Sequence, residues 1–112
     1  MDERKQAHFR QKLEAALAAL DRGDARGAQG QKTVMLDQQA VGRLSRMDAL
    51  QQQAMAQATQ ARRNAERARI MAALARFADG EYGYCVECGD AIEEPRLELD
   101  PSTPKCLDCA RG

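Results

Sequence analysis

The sequence contains no tryptophan and only two phenylalanines and two tyrosines among its 112 residues. Hydrophobic residues make up 44% of the chain, but many of them are alanine, which buries little area. A chain this short with so few large side chains would form only a marginal compact core. We therefore expect its stability to come from a bound metal, or from long helices that pack closely through small residues.

The chain also has no net charge, because 17 basic residues balance 17 acidic ones. A protein that binds nucleic acid as its main role usually has a basic surface, so we expect no direct sequence-specific DNA binding. Residues 80–112 contain three basic and eight acidic residues, and this segment would repel phosphates. A protein partner fits this charge distribution better.

No apolar run approaches the roughly 20 residues that a membrane-spanning helix needs. The first residues, MDERKQAH, are charged throughout and do not resemble a signal peptide. We therefore expect a cytoplasmic protein that does not associate with membranes. In a reducing compartment, cysteines arranged as CxxC pairs indicate metal binding rather than disulfides.

The fold class that we predict is mainly α, with an antiparallel helical hairpin or coiled coil followed by a small C-terminal zinc finger with four cysteine ligands. An apolar stripe that begins at Phe9 predicts a helix over residues 3–21. Three glycines among polar residues predict a loop over residues 22–36. A stretch without proline predicts a second, long helix over residues 37–79.

Two residues mark the predicted ends of the long helix. Asp37 is a suitable N-cap, because its carboxylate can accept the free N–H groups of the first turn. Gly80 occupies the position where a left-handed residue commonly ends a helix. The domain division that follows is a helical hairpin over residues 1–79 and a zinc-finger module over residues 80–112.

The second predicted helix carries an alanine-rich heptad stripe, which we expect to form its contact with the first helix. A second stripe near its end contains Ile70, Leu74 and Phe77, and we expect it to support the zinc module. The residues of the heptad stripe are Leu44, Met47, Gln51, Ala54, Ala58, Ala61, Ala65, Ala68, Ala72 and Ala75.

The cysteines provide the strongest functional signal. They form two CxxC pairs separated by 17 residues, a spacing typical of structural zinc modules. Each CxxC turn places two sulfurs on one side of a tight knuckle, and two knuckles complete a tetrahedron with no open position. We predict one structural zinc ion bound by Cys85, Cys88, Cys106 and Cys109.

Other uses of the four thiols remain open at this point. A redox dithiol is one, although no βαβ pattern surrounds either CxxC pair. An iron–sulfur cluster is another, because four cysteines alone do not distinguish iron from zinc. A catalytic zinc is disfavoured, because all four positions of the metal would be filled by the protein.

With these residues in view, the chain resembles the DksA/TraR family of bacterial transcription regulators. The matching positions lie in the zinc-finger segment, and the predicted hairpin before it resembles the coiled coil of the family. The residues that carry the resemblance are Tyr82, Gly83, Tyr84, Cys85, Cys88, Gly89, Ile92, Arg96, Leu97, Pro101, Cys106 and Cys109.

This resemblance implies a partner and a mode of action. Family members bind RNA polymerase rather than DNA, insert the coiled coil into its secondary channel, and place acidic residues of the hairpin tip near the active centre. The larger members act with the alarmone ppGpp, so a role for ppGpp is expected only in the complex with polymerase.

The hairpin tip is where this sequence departs from the family. The larger members carry an Asp-x-x-Asp-x-Ala run that is absent here. The nearest acidic residues are Asp37 and Asp48, each of which also suits a purely structural role as a helix cap or solvated side chain. Arg43 and Arg46 are the basic residues in the same region, and we include them as possible partner contacts.

A second function class fits the same sequence. A zinc-stabilised helical adaptor or dimer would use the alanine stripe to pair with another helix and would have no role in transcription. An enzyme is not expected, because the sequence has no nucleophile–base set, no phosphate-binding glycine loop and no open metal site.

Overall fold

The structure is a computed structural model that describes the backbone of residues 1–40 and 43–112 and the side chains of residues 1–25 and 46–112. Its helices are α1 (Glu3–Ala40), α2 (Arg43–Asp79), α3 (Glu94–Leu99) and α4 (Leu107–Arg111). Over these described ranges there is no β-strand. The predicted mainly α fold, a helical hairpin with four cysteines clustered at its C-terminal end, is confirmed.

The outer ends of the two long helices follow from local chemistry. Asp2 precedes α1, and its carboxylate accepts the backbone N–H of Lys5 at 2.8 Å. Gly80 follows α2 with a φ of 70°. The N–H of Gly80 donates to the carbonyl of Phe77, and the N–H of Glu81 donates to the carbonyl of Arg76. This pair of bonds is a Schellman cap, and the predicted helix end at Gly80 is confirmed.

The predicted loop over residues 22–36 is wrong, because α1 continues through this segment to Ala40. A glycine inside a helix costs only about 1 kcal/mol relative to alanine, and packing can offset that amount. Gly23 shows how. It is buried, and a Cβ atom added to it would lie 3.3 Å from the Arg63 side chain. Glycine therefore allows a close approach at this position and does not end the helix.

The predicted start of the second helix at Asp37 is also wrong. Asp37 lies inside α1, and α2 begins at Arg43. Asp37 therefore cannot cap the second helix. Asp37 has a helical backbone because α1 extends past the glycines of the predicted loop. Few residues then remain between α1 and α2.

The chain forms two compact units, which we name by their place in the sequence. The terminal unit contains Met1–Ala18 and Arg67–Gly112, and the middle unit contains Ala19–Glu66. The predicted boundary between residues 79 and 80 stays a prediction. The core of the terminal unit is built from α1, α2 and the cysteine-containing segment, and its most deeply buried large side chains are Phe9, Leu13, Ile70 and Leu97.

The middle unit contains polar contacts between its two helical segments. Gln60 donates to the carboxylate of Asp24 at 3.1 Å, and the guanidinium of Arg63 lies 3.9 Å from the same carboxylate. The side chains of Arg63 and Asp24 are 30% and 25% exposed, so this ion pair is partly shielded from water. These contacts show that the segments of α1 and α2 in this unit lie side by side at Asp24.

The predicted alanine contact stripe is wrong along the part of α2 whose side chains are described. Its residues from Met47 to Ala75 are exposed, and Leu44 lies outside the described side chains. The buried face instead includes Ala49, Ile70 and Ala73. Alanine occurs on several faces of α2, so its spacing fits more than one stripe. Larger side chains select the face that is buried, because they remove more apolar area from water.

Among the residues that the structure describes, neither long helix contains an apolar stretch capable of crossing a bilayer.

Candidate metal centre

The structure brings all four predicted cysteines together. The sulfurs of Cys85, Cys88, Cys106 and Cys109 all lie within 4.8 Å of one another, and none of these cysteines forms a disulfide. The sulfurs of Cys88 and Cys106 are 3.7 Å apart. A zinc–sulfur bond of about 2.3 Å gives a tetrahedron with sulfurs about 3.8 Å apart. The four thiols therefore fit one zinc ion with no ligand position left open.

The first CxxC turn is held by its own backbone. The N–H of Cys85 donates to Asp90 at 2.8 Å, and the N–H of Gly89 donates back to the carbonyl of Cys85 at 3.0 Å. Gly89 adopts a φ of 78°, which favours glycine because it has no side chain. The N–H of Glu87 donates to the Cys85 sulfur at 3.4 Å. Such N–H groups orient a thiolate toward a metal.

The second CxxC turn begins α4 and is tied to the first turn. The N–H of Val86 donates to the carbonyl of Pro104 at 2.9 Å, which joins the two cysteine segments. Arg96 donates through Nε to the carbonyl of Lys105 at 3.0 Å, directly before Cys106. Arg96 thus braces the second knuckle. Together these bonds join the two cysteine pairs to each other.

The surroundings of the cysteines shift the pKa values of the thiols in different directions. The N–H groups of Cys88 and Cys106 lower the pKa of the Cys85 thiol to about 6. Hydrogen bonding to Cys106 raises the pKa of the Cys109 thiol. The thiolate is the form that binds metal, and the backbone N–H groups around Cys85 favour that form. Four thiolates on zinc leave no site for water or substrate, and the role of this centre is structural.

Aromatic residues at the end of α2 and in the following turn support the cysteine segment. Tyr82 stacks on Phe77 with ring centroids 4.0 Å apart, and its hydroxyl donates to the carbonyl of Pro101 at 2.8 Å. Burial raises the pKa of Tyr82 to about 12. The sequence pattern of this segment also predicts a small core of Tyr82, Tyr84 and Leu97 beneath the zinc. Tyr82 and Leu97 are buried, at 4% and 0% exposed, whereas Tyr84 is 42% exposed and does not belong to this core.

Sequence reasoning missed the ion pairs that join α1 to α3. Glu98 accepts from Lys12 at 2.7 Å and contacts the ring nitrogen of His8 at 2.9 Å, while Lys5 binds Glu94 at 2.6 Å. Lys12, then His8, lowers the pKa of Glu98. A signal was present, because the three basic residues follow one face of α1 and the two glutamates are four positions apart. Only the fold shows that these faces meet.

The predicted partner-binding residues of the hairpin tip stay predictions. Arg46 and Asp48 are exposed residues of α2. Arg43 is the first residue of α2, and Asp37 lies inside α1. The side chains of Asp37 and Arg43 lie outside the described residues.

Comparison with known proteins adds three findings. Residues 80–112 match the family model described as the prokaryotic dksA/traR C4-type zinc finger. An uncharacterized protein of Aquifex aeolicus (strain VF5) is 47% identical over 38 residues, which is 34% of this chain. The matched segment spans only 26% of the length of that relative.

The fold of the chain is also similar to a solved structure, that of transcription factor DksA2 from Pseudomonas aeruginosa. The TM-score is 0.87 at 24% sequence identity, and the match covers 98% of this chain and 83% of that one. The zinc-finger family and the clustered cysteines indicate one structural zinc ion, as predicted. These findings confirm the resemblance seen in the sequence: residues 80–112 match the model of the prokaryotic dksA/traR C4-type zinc finger, and the fold is similar to that of DksA2.

Proposed function

We propose that the protein is a DksA-like regulator of transcription that binds RNA polymerase through its secondary channel. In this proposal the hairpin end, where α1 and α2 connect, lies near the active centre. The observation that carries it is the similarity of fold to a transcription factor over 98% of the chain, combined with the zinc-finger match. The absence of net charge supports a protein partner rather than DNA.

The proposed contact residues are Asp37, Arg43, Arg46 and Asp48. We assign the two arginines to binding, since they can pair with acidic groups on a channel wall. We assign the two aspartates to regulation near the active centre. As an N-cap at the hairpin turn, Asp37 would be preferred over Asp48, but it lies inside α1 and does not cap α2. Both acids therefore enter the test on equal terms.

The test is a pull-down with immobilised RNA polymerase, followed by transcription from a promoter with an unstable open complex. Arg43→Glu combined with Arg46→Glu should weaken polymerase binding about tenfold. Asp37→Asn combined with Asp48→Asn should preserve binding and reduce the effect on transcription. Glu66→Gln is the matched control, because Glu66 is an exposed acid of α2 outside the proposed contact set. Failure of the unmodified protein to bind polymerase would reject the proposal.

The protein would act in the cytoplasm, where polymerase works, and any response to ppGpp would require the polymerase complex. We propose no catalytic role, since the cysteine centre has no open ligand position. Titration of ppGpp with the protein alone should give no binding, and binding by the isolated protein would contradict this point.

The exposed alanine stripe favours a second candidate function. Exposed alanines from Ala54 to Ala75 allow another helix to approach α2 closely. Exposed Met47, Leu50 and Met55 add apolar area nearby. A helical adaptor or a dimer would use this face. Light scattering after size exclusion separates the candidates, because a monomer at micromolar concentration contradicts the dimer. Binding of the unmodified protein to RNA polymerase would contradict an adaptor that has no role in transcription.

A further inference from the structure

A groove of about 520 Å³ lies beside the first cysteine pair, between the end of α2 and the following turn. It belongs entirely to the terminal unit. Its apolar wall contains Tyr84 and Val86, which are 42% and 56% exposed. The neighbouring Tyr82 and Ile92 are buried. Tyr84 and Val86 are therefore large apolar side chains of the cysteine segment that the rest of the described structure leaves uncovered.

The charged wall of the groove is acidic. Asp79 and Glu81 line it, are exposed, and have no ion-pair partner among the residues that the structure describes. Glu87 also lines the groove, but it is bound to Lys105 at 2.8 Å. Arg76 is the single basic residue in the lining, and the three acidic residues outnumber it. The carbonyl end of α2 lies at Asp79 and adds partial negative charge to the same side.

We propose that this groove binds an arginine side chain from a basic segment of a protein partner. Arginine combines the two features that the groove complements. Its planar guanidinium pairs with carboxylates such as Asp79 and Glu81 and also stacks on an aromatic ring such as Tyr84. Its aliphatic stem covers apolar surface such as Val86. A lysine matches the charge of the groove but not the planar stacking.

Binding of an arginine at this groove is independent of polymerase binding through the hairpin. It uses residues of the turn after α2 and of the first cysteine knuckle, none of which belongs to the proposed tip set. A partner that binds here would make a contact additional to any made by the helices.

The experiment uses the full-length, zinc-loaded protein labelled with nitrogen-15. It is titrated with the capped peptide GLRLRG while amide chemical shifts are followed by NMR. We expect saturable shifts concentrated in residues 79–89, at least threefold weaker binding of GLKLKG, and no binding of GLELEG. Equal affinity for the arginine and lysine peptides, or shifts spread over the whole acidic surface, would overturn the proposal.

Two double variants with the same charge change localise the effect. Asp79→Asn with Glu81→Gln should weaken binding of GLRLRG about tenfold. Glu93→Gln with Asp108→Asn removes two exposed acids that do not line the groove, and it should change the affinity less than twofold. Retained zinc content and amide dispersion identify folded variants. Equal weakening by both would indicate a diffuse attraction and would reject the groove as a site.

Discussion

The terminal and middle units are built on different principles. The terminal unit buries the large side chains of Phe9, Leu13, Ile70 and Leu97 and surrounds them with ion pairs and a cysteine centre. In the middle unit, Ala49 is the buried hydrophobic residue among the side chains described. The contacts of the middle unit near Asp24 are polar and partly exposed.

The difference shows where folding free energy is concentrated. Burial of a large apolar side chain stabilises a protein by about 1.5–3 kcal/mol, whereas an exposed ion pair contributes about 0–1 kcal/mol. We therefore expect the terminal unit to unfold last and the middle unit to open more often. Hydrogen exchange of backbone amides measures the opening of each unit. The exchange rates of the unmodified protein are the reference for the variants described below.

Cys85→Ser should have the largest effect, because it removes a sulfur around which two knuckles are arranged. Bound zinc should fall from about one ion per chain to nearly none. Since zinc binding supplies folding free energy, the terminal unit should lose cooperative unfolding. Elemental analysis and near-ultraviolet circular dichroism measure these outcomes. A variant that keeps full zinc content and its tyrosine signal would refute the structural role of the centre.

Ala73→Gln should have the next largest effect. Ala73 is 0% exposed, and a longer polar side chain there should destabilise the protein by about 2–3 kcal/mol through overpacking. Ala72→Gln is the control, because Ala72 is the exposed neighbour in the same helix and should change stability by less than about 0.5 kcal/mol. Urea denaturation of both variants tests which face of α2 is buried. The reverse order of effects would restore the alanine stripe as the contact.

Asp24→Ala probes the middle unit and should cost about 1 kcal/mol, because Gln60 and Arg63 lose a shared acceptor. Faster hydrogen exchange should be confined to residues of the middle unit. Glu66→Ala removes an exposed acid from the same unit and serves as the control. If exchange in the terminal unit accelerates equally, the two units are not energetically distinct.

Glu98→Gln should have the smallest effect, and it should depend on pH. Lys12 and His8 lower the pKa of Glu98 in the folded state. Its contribution to stability is therefore present above the ordinary glutamate pKa of about 4.3 and is lost as pH falls through the lower, folded value. The urea midpoint should fall less steeply between about pH 5 and 3 in the variant. Glu93→Gln should retain the original slope, and an equal change there would contradict a specific role of Glu98.

Local chemistry made part of the molecule predictable. The CxxC spacing identified the four cysteines, and Gly80 marked the end of α2 correctly, because a knuckle and a helix cap each involve a few neighbouring residues. The extension of α1 past Gly23 was not predictable in this way. It involves a close contact with Arg63, which is distant in sequence.

The remaining errors have the same origin. Alanine fits several faces of α2, and only the positions of larger residues on partner elements decide which face is buried. The contacts of Lys12 and His8 with Glu98 join residues about 90 positions apart, and the sequence shows complementary charge but not proximity. Position within the chain alone could not identify these pairs.

The terminal unit is discontinuous in sequence, since Ala19–Glu66 separates its two parts. Closing a chain segment becomes harder only slowly with its length, and each doubling adds about 0.6 kcal/mol. Equal insertions or deletions in α1 and α2 within the middle unit should therefore be tolerated by the zinc-binding part. Natural variation in hairpin length would then proceed by whole helical turns. The length of the hairpin would evolve separately from the folding stability of the terminal unit.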